Sequence, residues 1–356
     1  MTIMKKTELE QLRAFSNKLS IKERKSFVSG FNLPVPVILD GGIFFHQICT
    51  IDPIYRSLEK LKMLMALYEA GDTYGNAKSH AIQSAIQDVK SAPGFNEFNR
   101  KAFDGQLKKS LGRKNTLYDK EHIGRSFISV DMINACFQAI KFAKPKLVFE
   151  CDDYPEFISK YTEHDVLRKS KTIAHLIFSG LNSNLQQEIQ FHIMCTILEH
   201  LDKEGVRDNM VAQFTSDELV IYNEPGVYEK VKNALFNTCK DLGLEMNKVF
   251  RTDLFVLKGF GAEVVGTCFV KCDLDNKAVA MKGIESKYMP EAMCFVQGRT
   301  PDRKDRMMDF DGRIAAFDMP IKFEWISNPA LSHDGEHHKR TLNRRQGKLV
   351  VTEPGL

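Results

Sequence analysis

The sequence predicts an α+β protein. It has a helical N-terminal region, then an RRM-like β-α-β-β-α-β antiparallel sheet laid on helices, then a β-rich C-terminal region. Three observations carry that prediction. Helical periodicity dominates the first 100 residues. Between residues 125 and 260 the order reads strand, helix, helix, hairpin, helix, strand, which is the order of a β-α-β-β-α-β unit. After that come short segments rich in Val, Phe and Thr. The expected organisation is 1–119 helical, 120–260 the sheet unit, 261–330 β-rich and 331–356 a basic flexible tail.

Taken in order, residues 6–29 read as one charged amphipathic helix with Leu9, Leu12, Phe15 and Leu19 on one face. LPVPVILD (33–40) reads as a short apolar strand led by two prolines and broken by Gly41–Gly42. Residues 54–70 read as a helix stopped by Gly71, and 77–90 as another. RSFISVDM (125–132) is a run of β-formers ending at an acid, followed by a helix over 133–143. The segment 152–161 opens a helix with paired Asp caps and a proline in its first turn. Residues 184–203 give a long helix with Leu185, Ile189, Ile193, Ile197 and Leu201 in phase. NMVAQFTSDELVIYN (209–223) reads as two strands around a tight turn, and 227–243 as a helix ended by Gly243.

Composition excludes several classes. At 43% hydrophobic and 27% charged, the 356 residues are ordinary for a globular chain. No stretch approaches the ~20 apolar residues that span a bilayer. The opening residues lack the apolar core of a secretory signal, so no membrane role is expected. Eight cysteines lie singly in apolar surroundings, which predicts buried thiols in a reducing, cytoplasmic setting. The net charge of +4 permits nucleic-acid binding without demanding it. Local charge says more: 101–125, which includes Arg113 and Lys114, holds seven Lys/Arg against three Asp/Glu, and 339–348 holds five and none. Such surfaces can grip phosphates. No P-loop signature and no nucleophile elbow occurs.

The chemistry concentrates in three acids. Asp131 ends a buried-looking strand, where a carboxylate is costly unless paired or metal-bound. Asp217 and Glu218 sit at the tip of a hairpin where Asn-Gly or Asp-Gly would be the ordinary turn. Two acids held between VAQF and LVIY suit preorganised metal binding. In a β-α-β-β-α-β unit the first strand neighbours the hairpin, so Asp131 and Asp217 are expected on one edge. Carboxylates converging there suit Mg²⁺ (or Mn²⁺), which binds through a few carboxylates plus substrate phosphates.

These residues resemble a family. VDMINACF (131–137 in its Asp-x-x-x-Ala-x-Phe core) looks like the first catalytic motif of reverse transcriptases and RNA-dependent RNA polymerases, the right-hand enzymes with a palm domain. TSDELVI looks like their hairpin motif, with Glu218 in place of a second aspartate. The 86 residues between Asp131 and Asp217 suit a palm. The resemblance implies a template-directed nucleotidyltransferase of RNA or DNA, with two metal ions on Asp131, Asp217 and Glu218. It implies nucleoside triphosphates and nucleic acid as partners, protein partners in a replication or transcription complex, and the viral or phage setting that such enzymes often have. Asn134, Cys136 and Phe137 then fall at the nucleotide. Cys136 stands where a bulky aromatic usually excludes the ribose 2′-hydroxyl, so ribonucleotides are expected to fit. Ser179, Gly180 and Asn182 fall where the family touches template and incoming nucleotide. Arg168, Lys169 and Lys171 are placed to meet triphosphate, and Lys282–Gly283 to meet primer or phosphate.

Two other readings stand beside this one. The chain is alternatively a nucleic-acid-binding or virion-associated protein that keeps the scaffold without catalysis. Asp40–Gly41–Gly42 with Phe45 and His46, together with Ser216–Asp217–Glu218, also resembles tRNA guanylyltransferases and cyclase-type nucleotidyltransferases. There, however, 177 residues would separate Asp40 from Asp217, which is long for a compact palm. His333, His337 and His338 cluster in a polar tail and are read as solvated.

Overall fold

The computed structural model describes residues 6–101 and 112–328, and the backbone of 349–351. The histidine cluster, the basic tail and most of the basic segment around 102–111 lie outside these residues. The chain is α+β with antiparallel sheets. It divides into two compact units, one of residues 1–75 with 258–356 and one of residues 76–257. The expected boundary at 260 lies beside this division, whereas the one at 119 falls within the second unit. No helix among the described residues is long and apolar enough to cross a membrane.

The first unit begins with α1 (Lys6–Lys18), α2 (Ile21–Gly30), α3 (Gly41–Tyr55) and α4 (Ser57–Glu69). The single helix expected over 6–29 is two, because Ser20 forms a capping box. Its hydroxyl accepts from Glu23 N at 3.3 Å, and the Glu23 carboxylate accepts from Ser20 N at 2.7 Å. The strand expected over 33–40 does not form. Pro34 and Pro36 remove two ladder donors. The segment instead caps itself on Asp309, whose Oδ2 accepts from Ile38 N at 2.8 Å and Leu39 N at 3.3 Å. Gly41–Gly42 do not break structure but open α3, since the Asp40 carboxylate accepts from Ile43 N at 2.7 Å as its N-cap. The helix expected at 54–70 is the shorter α4, with Gly71 beyond it at φ 87.

Helix α5 (Tyr74–Ser91) starts at the division, and the second unit continues with α6 (Phe95–Arg100) and β1 (Lys114–Asn115). Then come β2 (Ser126–Met132), α7 (Ala135–Ala143), α8 (Tyr154–Ser159), α9 (Asp165–Arg168), α10 (Lys171–Phe178) and α11 (Ser183–Lys203). The hairpin β3 (Val211–Phe214) and β4 (Glu218–Tyr222) follows, then α12 (Val227–Leu242), α13 (Met246–Val249) and the start of β5 (Phe250–Ala262). Gly243 ends α12 in the left-handed region. The strand order is β1-β3-β4-β2-β5, all neighbours in the unit antiparallel. Its last four strands have the order of a split β-α-β-β-α-β unit.

Pleating puts alternate residues of these strands on opposite faces. Phe214, Leu219, Ile221, Ile128 and Val130 form one face and are fully buried or nearly so. The Phe214 ring meets Phe191 of α11 with centroids 5.3 Å apart. Beneath α7 lies an aromatic cluster in which Phe137, Tyr154 and Phe178 surround Phe157 at 5.4–6.4 Å.

The remaining part of the first unit holds the end of β5, then β6 (Gly266–Cys272), β7 (Ala278–Lys282), α14 (Met289–Val296), β8 (Met307–Phe310), β9 (Arg313–Phe317), β10 (Glu324–Ile326) and β11 (Leu349–Val351). The order β5-β6-β7 continues one sheet, β10 pairs with the end of β5, and β11-β9-β8 form a second sheet. Of the region expected to be β-rich, 261–330, the structure forms β6 to β10 with α14 between β7 and β8. None of the eight cysteines forms a disulfide, and six of them are buried.

Phe157 is fully buried within the aromatic cluster. Phe157→Ala should cost about 3–5 kcal/mol, read from chemical denaturation of the full chain. A loss below about 0.5 kcal/mol, as at surface sites, would show that the cluster is not the core of its unit.

Candidate active site

Strand register decides which side chains share the second face of the sheet. Asp131 lies opposite Glu218 on β4 and opposite Arg251 on β5. Ser129 lies opposite Val220 and Asp253, and Val220 opposite Gln213. Gln213, Glu218, Ser129, Asp131, Arg251 and Asp253 therefore share one face. One end of this face is closed. There Phe127 stacks between Tyr222 and Phe255, and the Tyr222 hydroxyl lies 2.6 Å from His122 Nε2. The other end is open: the side chains of Arg251 and Asp253 are 56% and 53% exposed.

The acids at the open end are held by their neighbours. Ser129 Oγ donates to Glu218 Oε1 at 2.9 Å, and Gln213 Nε2 donates to Glu218 Oε2 at 2.6 Å. Arg251 donates to Asp131 Oδ2 at 3.0 Å through one nitrogen and reaches Asp253 at 2.8 Å through another. The turn is fixed by Thr215, whose N–H donates to Glu218 O at 2.9 Å and whose hydroxyl accepts from Glu218 N at 3.0 Å. That hydroxyl lies 3.1 Å from Asp217 Oδ1. The Asp217 carbonyl accepts from Met132 N at 2.9 Å, tying the turn to the end of β2.

Electrostatics show that the other two acids act on Asp131. Burial pushes the Asp131 carboxyl above its usual range. Arg251 opposes this, Glu218 and Asp217 reinforce it, and Lys171 opposes it. Burial also raises the Cys136 thiol, with the charge of Asp217 adding to the effect. Gln190 Nε2 approaches Cys136 Sγ at 3.8 Å. Tyr118 is raised by burial and by Glu218. Thus Asp131, Asp217, Glu218, Lys171, Cys136 and Tyr118 lie within electrostatic reach of a common region.

Other expected site residues fall elsewhere. Asn134 caps α7 from the left-handed region at φ 49, and its side chain makes no cap bond. Phe137 is a core ring, 1% exposed, so its face is closed to a nucleotide; its packing overrides the expectation that it binds one. Lys171 is exposed at the start of α10. Arg168 and Lys169 pair with Asp165 at 3.6 and 3.2 Å. Ser179 and Gly180 are exposed between α10 and α11. Asn182 is a structural cap: Oδ1 accepts from Leu185 N at 3.3 Å, and Nδ2 donates to the carbonyls of Phe98 and Lys101 at 2.8 and 3.0 Å. Its amide is used up within the fold. Lys114 donates to the Val211 carbonyl, while Arg113 is exposed. Lys282 is exposed at the end of β7, in the first unit.

A second group was not visible in the sequence. In the first unit, His46 on α3 meets Asp302 and Asp305, and the three ligand atoms lie within 4.8 Å of one another. Among the described residues this is the group of three His, Cys, Asp or Glu side chains that converges this closely and could hold a metal ion. Asp131, Asp217 and Glu218 do not converge to that extent. Sequence reasoning also missed Ser129, Gln213, Arg251 and Asp253, although alternation back from Asp131 points to Ser129.

Comparison with protein-family models, with curated proteins and with solved structures finds no match for this chain.

The upward shift of Asp131 has a sign that can be checked. A carboxyl whose folded pKa lies above its unfolded value favours folding fully below the unfolded value, about 4, and that contribution is lost as pH rises through the folded pKa. Asp131→Asn should therefore be more stable than the parent chain at pH 7, with the difference closing as pH falls toward ~4. Urea midpoints at the two pH values measure this. A variant less stable at pH 7 would contradict it.

Proposed function

We propose that the second unit is a palm-type nucleotidyl-transfer core that acts on nucleoside triphosphates with RNA or DNA as template or primer. One observation carries the reading. Asp131, near the end of β2, faces Glu218 of the hairpin in register, at the open end of one face of a β-α-β-β-α-β sheet. A carboxyl of raised pKa on a rigid strand, as Asp131 is, marks a functional-site candidate.

The donor set fits Mg²⁺ or Mn²⁺, being hard carboxylate oxygen. Asp131 and Asp217 would hold the ions, which supply activation of an attacking 3′-hydroxyl and stabilisation of the leaving pyrophosphate oxygen. The roles of the side chains then differ. Both Glu218 oxygens already accept hydrogen bonds from Ser129 and Gln213, so Glu218 buttresses the pair and adds charge. Arg251 neutralises Asp131 while also reaching Asp253, and would release the Asp131 oxygen on turning to a phosphate. Lys171, exposed and felt at Asp131, is placed to meet the triphosphate. Cys136 leaves more room than an aromatic ring for a ribose hydroxyl.

The Arg251–Asp131 ion pair also favours a second reading, in which the sheet binds nucleic acid without catalysis. RNA binding that survives EDTA, with no labelled nucleotide incorporated, is the result expected for that case.

Asp217→Ala should lower Mg²⁺-dependent nucleotide incorporation by about 10³-fold or more, the scale of losing an electrostatic catalytic group. Circular dichroism and the denaturation midpoint should stay near those of the parent chain. Incorporation unchanged in this variant would refute the assignment of the site.

A further inference from the structure

We infer that His46, Asp302 and Asp305 bind a divalent transition-metal ion such as Mn²⁺, Fe²⁺ or Zn²⁺ that fastens α3 to the turn at 302–306. The site lies in the first unit and does not depend on the function proposed for the second.

The donor set is one imidazole nitrogen and two carboxylate oxygens. Imidazole selects for transition ions over Mg²⁺ and Ca²⁺, and carboxylates are compatible with Mn²⁺, Fe²⁺ and Zn²⁺. The spacing is right for donors on adjacent corners of a coordination sphere. Ligands at ~2.1 Å from an ion stand about 3 Å apart. His46 Nε2 lies 2.9 Å from Asp305 Oδ1 and 3.5 Å from Asp302 Oδ2.

An outer layer orients the central carboxylate. Thr50 Oγ1 donates to Asp305 Oδ1 at 2.9 Å, and Asp302 N donates to Oδ2 at 3.0 Å. The buried Cys294 thiol donates to Oδ2 at 3.4 Å. Such hydrogen-bonded carboxylates are the usual support of metal ligands. Asp305 is 2% exposed. Glu291 is also 2% exposed; its Oε2 accepts from Ile321 N at 2.7 Å, while its Oε1 has no hydrogen-bond partner. On the outer side, Asp302 is 56% exposed and His46 26%, which leaves solvent access for an ion and for water ligands.

The test uses the full chain carrying Asp217→Ala, so that any ion in the second unit is weakened. Mn²⁺ is added and read by electron spin-echo spectroscopy, which detects an imidazole nitrogen bound to Mn²⁺, and by calorimetry. The expected result is one bound Mn²⁺ with nitrogen modulation, a raised melting temperature, and competition by Zn²⁺. Asp302→Asn keeps the acceptor that Lys304 N and Asp305 N use, so it should fold. It should bind at least about tenfold more weakly, since loss of even an outer partner costs ~10–100-fold. His46→Gln should lose the nitrogen signal. Mn²⁺ binding without nitrogen modulation, no binding at millimolar Mn²⁺, or unchanged affinity in Asp302→Asn would each overturn the inference and leave the group as a hydrogen-bonded staple.

Discussion

The register between β2 and β4 is the constraint on which the second unit depends. A slip of one residue would turn every side chain of the strand to the other face. With Asp131 opposite Glu218, the apolar set Ile128, Val130, Leu219 and Ile221 goes to one buried face and the acids go to the other, at its open end. Burial of that apolar set therefore also places the charges. The Met132 N–H bond to the Asp217 carbonyl, at 2.9 Å, then locks the hairpin turn to the strand end. The same pairing that holds the sheet together gathers three carboxylates that repel one another. Arg251, Ser129 and Gln213 offset that repulsion with hydrogen bonds. Burial, with Glu218 and Asp217 adding to it and Arg251 opposing it, still leaves the Asp131 carboxyl above its usual range. A site that holds such strain in the resting state is one that a cation or an anionic substrate with its counter-ion would relieve.

Much of the second unit was legible in the sequence. SFISVDM, VAQF and LVIY have the β-branched and aromatic content of strands, and the helices between them keep a clear apolar period. Their order is sufficient to predict which strands pair. Within the first unit, local signals misled. Two prolines in LPVPVILD suppress the strand its apolar residues suggest. The Gly-Gly pair reads as a breaker, but Asp40 supplies the N-cap that lets a helix start there. Phe137 sits in a motif that points to a ligand, but in space it belongs to the ring cluster around Phe157.

The His46 group was illegible for a different reason. His46 and Asp305 are 259 residues apart in the chain. Asp302 and Asp305 form only a short Asp-x-x-Asp spacing, which is common at turns. Nothing local marks either half as a ligand set. Arg251 was missed likewise, since its partner Asp131 is 120 residues earlier and becomes a neighbour only through strand register. Contacts between distant residues depend on topology, and so become visible only once the strand order is known.

The central claim is that Asp131 and Asp217 hold the ions of a nucleotidyl-transfer site. Anomalous diffraction from crystals soaked with Mn²⁺ and a nucleoside triphosphate tests it most directly. The account predicts Mn²⁺ between the Asp131 and Asp217 carboxylates, in contact with triphosphate oxygen, and Arg251 turned away from Asp131. Triphosphate bound elsewhere, with Arg251 still paired to Asp131 and no anomalous peak beside Asp217, would contradict it.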